Sequence, residues 1–242
     1  GADLVLFLSD FQPAVDDAVG HVSGPVVYDV SADARLLPRA DGAVADEHDD
    51  EHAGETAEEH AEHEGDGHAH GPDDPHFWLD PARLADVAGG VAEQLAAVDP
   101  DGADTYRTNA EAVSAQLMEL TATIDEGLAQ CSRHSIVVTH QAYGYLTGPR
   151  GITQIGIAGI DPDTEPSPAR IAEIERAVQG SDATTVFGEA QVDQKVATVI
   201  ADQTGLRVDV LDPLGSKVTA DATYPGQMQK NLDALRAALD CA

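Results

Sequence analysis

The chain is poor in positive charge. Its 242 residues carry 13 Lys and Arg against 44 Asp and Glu, a formal net charge of −31. Such a polyanion repels nucleic acid and anionic lipid, which removes both as partners. Aromatic residues make up 4% of the chain, and tryptophan occurs once, at Trp78. Two cysteines, Cys131 and Cys241, are too few for a cysteine-rich zinc module or a disulfide scaffold, although they suffice for one bond. No uninterrupted apolar run reaches the ~18 residues of a membrane span. A His-Glu-x-x-His helix, a Gly-x-Ser-x-Gly elbow and a glycine-rich phosphate loop are all missing, so the common hydrolase and nucleotide signatures are absent. No export signal opens the chain. Gly1-Ala2-Asp3 runs directly into Leu4-Val5-Leu6-Phe7-Leu8, and this start reads as one from which a leading segment has been removed.

What is present is a chain long enough for one large domain or two lobes, with 42% apolar residues to build a core. Charge and histidine are concentrated in one place. Asp41 to His76 holds 14 Asp or Glu, no Lys or Arg, and seven of the ten histidines. Little in it is apolar beyond alanine, so burial cannot offset the entropy of ordering it, and 41–75 is expected to be a disordered loop. Its histidines His48, His52, His60, His63, His68 and His70 alternate with acids. One reading is a solvated linker. The other, which we favour, is a weak multivalent trap in which carboxylates attract a cation and imidazoles ligate it.

Outside that loop the pattern is strand, helix, strand, helix. Leu4–Leu8, Pro25–Val30, Ser135–Thr139, Thr153–Ala158, Thr184–Phe187 and Leu206–Leu211 are short apolar runs. Helical segments are expected at Phe11–Val19, from Asp80-Pro81 to Val98, at Pro168–Gln179 capped by Ser167, at Val192–Thr204 closed by Gly205, and at Pro225–Asp240. The clearest period is Ala103, Tyr106, Ala110, Val113, Leu117, Leu120, Ile124, Leu128, whose gaps of three and four define one face of a rod roughly 40 Å long. Together these predict an α/β fold with parallel sheets flanked by helices.

Parallel sheets bind ligands at the carboxyl ends of their strands. His140 follows the run Ser135–Thr139, Asp212 follows Leu206–Leu211, and His76 stands where the acidic loop meets the next helix. Two imidazoles and a carboxylate suit a borderline ion such as zinc, although each residue alone reads more often as turn or hydrogen-bonding chemistry.

Several blocks carry a resemblance. Asp74-Pro75-His76-Phe77-Trp78-Leu79-Asp80-Pro81, His140-Gln141-Ala142-Tyr143-Gly144-Tyr145-Leu146, Glu165-Pro166-Ser167-Pro168, Val186-Phe187-Gly188-Glu189 and Leu211-Asp212-Pro213-Leu214-Gly215 occur in family order. Nearly the whole chain resembles the ZnuA-like zinc solute-binding proteins of bacterial ABC importers. The resemblance implies two α/β lobes joined by one long rigid helix, with the metal site between lobes. The lobes would be 1–100 and 132–242, and the linking helix 101–131. It implies His76, His140 and Asp212 as metal ligands, with histidine at 140 favouring zinc over manganese. Glu189 is a candidate to orient a ligand histidine, or else a structural ion-pair member. The family's first metal histidine precedes the segment matching Ala2-Asp3-Leu4-Val5, so this chain starts too late to contain it. His21 is expected to be a surface or turn residue, His134 exposed, Trp78 a packing anchor, and Tyr143 and Tyr145 packing residues between lobes. Cys131 and Cys241 each end a helix, and a disulfide between them is expected in an oxidising, extracytoplasmic setting, the periplasm or a cell surface reached through a lipid anchor before Gly1.

The function implied is capture of Zn2+ outside the cytoplasm by a monomer and delivery to an ABC permease. A zinc-dependent hydrolase and a transporter-independent metal buffer are the alternatives. The hydrolase needs an open coordination position and a base by the metal, for which Glu189 is the sole candidate.

Overall fold

The computed structural model describes residues 1–39, 73–157, 168–190, 194–215 and 222–242. The six loop histidines from His48 to His70 and the expected Ser167 cap lie outside the described residues. The first sheet pairs β1 (Leu4–Phe7) in parallel with β2 (Val26–Asp29), and α1 (Pro13–Gly20) makes the crossover with proline in its first turn. His21 lies at the C-terminus of α1 and is exposed, as expected of a turn residue. Then α2 (Ser31–Ala34) stops at Arg35 in a left-handed conformation.

A two-residue antiparallel ladder follows, between β3 (Leu37–Pro38) and β4 (Asp73–Asp74). Composition places the end of the acidic loop at 75. The structure instead pairs Asp73 and Asp74 and buries Asp74 and Pro75. Tertiary hydrogen bonds hold this short acidic stretch, and local composition carries no trace of them.

Asp80 caps α3 (Pro81–Val98) by accepting the Ala82 N–H at 3.0 Å, with Pro81 at the first helical position. After a 3-10 turn, α4 (Ala103–Leu128) runs back along α3. Its buried face is Leu117, Leu120, Ile124 and Leu128. Val113, expected on that face, is 45% exposed, because a helical period of ~3.6 carries the stripe from Ala110 to Ser114 instead. The Ser114 hydroxyl donates to the Ala85 carbonyl on α3.

The second half alternates β5 (Ser135–Val138), α5 (Gly144–Thr147), β6 (Thr153–Gly156), α6 (Pro168–Gln179), β7 (Thr185–Gly188), α7 (Lys195–Thr204), β8 (Arg207–Val210) and α8 (Tyr224–Leu239). Its four strands are all parallel, in the order β6-β5-β7-β8. The chain thus steps from β5 to β6 on one side, then returns past β5 to lay down β7. That reversal opens a crevice at the carboxyl ends of β5 and β7.

The core has three parts. Ile136, Val138 and Phe187 of the sheet pack with Leu120 and Ile124 of α4 and with Leu232 and Leu235 of α8. On the other face Val137 and Val186 meet Ile174 of α6 and Ile200 of α7. A smaller cluster joins Val30, Ala34, Phe77 and Val87 of the first half. Two residues cross over. Tyr145 of α5, fully buried, belongs to the first half's cluster, while Leu79, also fully buried, sits in the core of the second sheet. Each such side chain contributes roughly 1.5–3 kcal/mol by burial.

A disulfide joins Cys131, just past α4, to Cys241, just past α8, as expected. Among the described residues no helix is long and apolar enough to cross a membrane.

Candidate metal centre

Three residues stand at the carboxyl ends of adjacent strands. His140 lies two residues beyond β5, Glu189 immediately follows β7, and Asp212 lies two residues beyond β8. Ladder-like hydrogen bonds continue past the strand ends, from Thr139 N–H to the Phe187 carbonyl (2.9 Å) and from Leu211 N–H to the Gly188 carbonyl (3.1 Å), so these positions are fixed by the sheet itself. Gly156 at the end of β6 is required here. A Cβ at that position would stand 2.3 Å from the Gln141 side chain, beside His140.

His76 comes from the other half. It occupies an irregular position before a 3-10 turn, Phe77–Leu79. Its ring centroid lies 4.8 Å from that of His140, with the planes at 74°. Both imidazoles are 6% exposed. The structure therefore brings together the two histidines singled out in the sequence, 64 positions apart.

Each ring has one nitrogen committed. His76 Nδ1 is 2.7 Å from Asp74 Oδ1, and His140 Nδ1 is 2.9 Å from Glu189 Oε1. A carboxylate only accepts, so Nδ1 of a neutral imidazole carries the proton and Nε2 carries the lone pair. His140 Nε2 is buried and has no hydrogen-bond partner among the described residues. A buried, unpartnered lone pair costs about 1–3 kcal/mol unless something binds it. Glu189 thus contacts His140, the geometry that both of its readings, orienting carboxylate and ion-pair member, require. Asp74 stands in the same relation to His76, a contact that its spacing in the sequence does not announce.

Asp212 is 4% exposed. Its backbone is clasped on both sides by Asn231 of α8, which accepts the Asp212 N–H at 3.0 Å and donates to the Asp212 carbonyl at 2.8 Å. One carboxylate oxygen accepts the Leu214 N–H at 2.8 Å, the Asx-turn bond that an Asp-Pro pair predicts. The buried Tyr143 lies close by, its hydroxyl donating to the Leu211 carbonyl at 2.9 Å. Burial, and then the charges of Glu189 and Asp212, push its pKa well above the usual phenol value. Among the described residues no group of three His, Cys, Asp or Glu side chains is gathered tightly enough to hold an ion as it stands. The two imidazoles meet, and Asp212 completes a set only if its free oxygen turns toward them.

The donor chemistry suits a dication. Two buried carboxylates, Asp74 and Asp212, and the half-buried Glu189 surround two imidazoles, and negative charge withdrawn from water is costly without a positive partner. Mixed nitrogen and oxygen donors with outer carboxylates on the imidazoles suit Zn2+. Of the other histidines, His134 is exposed beside Asp182, away from this crevice.

The chain matches, over residues 1–238, the family described as ZnuA, zinc-uptake complex component A, periplasmic. It is 35% identical over 175 residues to the zinc-binding lipoprotein AdcA of Streptococcus pneumoniae strain ATCC BAA-255 / R6, covering 71% of this chain and 35% of that protein. The matched stretch thus spans about a third of that relative's length. The laminin-binding protein Lmb of Streptococcus agalactiae, described as bifunctional with adhesin and metal-transporting activity, superposes with a TM-score of 0.79 at 27% identity, covering 98% of this chain and 80% of that one. The Zn(II)-bound ZnuA-like domain of Streptococcus pneumoniae AdcA superposes with a TM-score of 0.71 at 28% identity, covering 99% and 81%. A match that runs across almost the whole chain, on a fold shared with a Zn(II)-bound relative, makes this chain a member of the ZnuA family of zinc-uptake components.

Proposed function

We propose that this protein captures Zn2+ outside the cytoplasm, holds it between its two halves with His76, His140 and Asp212, and hands it to an ABC permease. The family is one of transport components rather than enzymes, so zinc is cargo and a hydrolase role falls away. The observation that carries the ligand assignment is the unpartnered Nε2 of His140, buried beside His76 while carboxylates occupy the Nδ1 atoms of both rings. Zn2+ at that point takes up both lone pairs, and turning Asp212 inward adds an oxygen ligand at about 2.0–2.2 Å. Relatives described as a lipoprotein and as periplasmic support an extracytoplasmic place. A permease partner and a monomeric state follow from the same reading.

Zinc titration against a competing chelator tests it. Wild type is expected to show one tight site. His140→Ala loses more than the ~10–100-fold in affinity that removal of an outer partner costs. Tight binding left intact in that variant would overturn the ligand assignment. Binding to the cognate permease separates delivery from simple buffering.

A further inference from the structure

His76 sits in a turn with little regular structure of its own, yet it must meet ligands from the other half of the molecule. Hydrogen bonds made by three side chains, Tyr145, Trp78 and Tyr224, bracket it. At position −2, the Tyr145 hydroxyl donates to the Asp74 carbonyl at 2.6 Å and accepts the Leu37 N–H at 2.7 Å. At position +2, the Trp78 indole N–H donates to the Pro213 carbonyl at 2.7 Å, and the Tyr224 hydroxyl donates to the Trp78 carbonyl at 2.6 Å. The Trp78 ring also lies edge-on to the His76 ring, with centroids 5.3 Å apart.

The far ends of these bonds are not arbitrary. Tyr145 lies five residues beyond His140, on the short helix that follows it, and Pro213 is the residue next to Asp212. Each flank of the His76 turn is thus tied to a segment that carries one of the other two proposed ligands, and Tyr224 adds a tie to α8, whose Asn231 clasps the Asp212 backbone. Tyr145 is also fully buried in the first half's core, so its hydroxyl cannot drift. Burial pushes its pKa up to about 12, and it stays a hydrogen-bond donor at neutral pH.

We propose that Tyr145, Trp78 and Tyr224 are positioning residues that brace the His76 turn against the His140 and Asp212 segments, fixing ligand spacing before the ion arrives and slowing its departure. The proposal rests on the zinc-capture reading of the same site. A brace of this kind acts on release more than on entry, because the encounter rate of a small cation does not depend on the last fraction of an ångström between ligands.

The test compares wild type with Tyr145→Phe and Tyr224→Phe, each of which removes one hydroxyl, and with Tyr106→Phe, a remote exposed phenol bonded to Asp99. Zinc release into excess chelator, zinc association and the visible spectrum of the Co2+-loaded protein are measured on each. Tyr145→Phe and Tyr224→Phe are expected to release zinc roughly tenfold faster, with association little changed and the Co2+ bands shifted, while Tyr106→Phe behaves as wild type. Should Tyr145→Phe fail to fold, Tyr224→Phe carries the same test. A lower melting temperature with wild-type release and an unchanged Co2+ spectrum would mean that these bonds serve the fold alone, and overturns the brace. Wild type that takes up no tight zinc overturns the site reading, and the brace with it.

Discussion

Each imidazole in the crevice has its Nδ1 held by a carboxylate, and the two rings lie 4.8 Å apart, so the outer acids should matter as much as the proposed ligands. Glu189→Ala is expected to weaken zinc binding by about 10–100-fold, and Glu189→Gln, which keeps an acceptor for His140 Nδ1, by clearly less. Equal losses in chelator competition would mean that charge rather than orientation is what Glu189 supplies. A second residue-level prediction concerns Asp29 at the end of β2. Burial alone would raise its pKa, but hydrogen bonds from Ser31 and Ser9 outweigh it and hold the carboxyl below the usual value of 3.8. A folded pKa below the unfolded one gives stability that is present above about pH 4 and lost as pH falls through the depressed value. Asp29→Asn should therefore melt earlier than wild type at pH 7, with the gap closing as the pH is taken below 3.8. The approach of His76 to His140 was legible because chemistry-bearing residues fell where a strand ends or a motif recurs. Asp74 and Asn231 were not, because their roles depend on which backbone atom or ring nitrogen lies across a tertiary contact, and spacing does not encode that.

Among the elements, those read from their own period survive best. α3 starts at Asp80-Pro81 and α4 ends at Leu128, as capping and apolar spacing predict. The β3–β4 ladder and the short helices α2 and α5 went unread. Two to four residues are too few to show a period, and long-range partners hold them in place: Tyr145 for the ladder, and Arg83, whose guanidinium donates to the Ala34 carbonyl, for the end of α2. The clearest energetic lever on an element is the disulfide, which pins the end of α8 beside the end of α4 across 110 residues. Backbone bonds from Ser132 to Asp240 and from Arg133 to Leu239 run alongside it. Reduction, or Cys131→Ser with Cys241→Ser, is expected to lower unfolding free energy by about 2–5 kcal/mol in chemical denaturation. Because α8 also supplies Asn231 to the Asp212 loop, the reduced protein should bind zinc more weakly as well.

For the whole molecule we propose the division into lobes 1–100 and 132–242 with 101–131 between them, and a supporting role for the acidic, histidine-rich stretch. Fourteen acids without a Lys or Arg between Asp41 and His76 concentrate divalent cations around the chain. Deleting 46–70 should remove weaker zinc equivalents while leaving one tight site. The weaker sites should also fade as pH falls below about 6.5, since a ligating imidazole must be neutral. A zinc stoichiometry unchanged by the deletion would reduce the stretch to a solvated linker. The two halves, meanwhile, are plugged into each other: Tyr145 fills a socket lined by Val30, Ala34, Phe77 and Val87, and Leu79 fills one against the opposite sheet. A chain severed between α3 and α4 would leave each fragment with an empty socket and a stranded plug, unable to hold its shape until mixed with the other. During synthesis the earlier-made half must likewise wait for residue 145 to emerge before it consolidates, so this protein matures as one piece, late and all together.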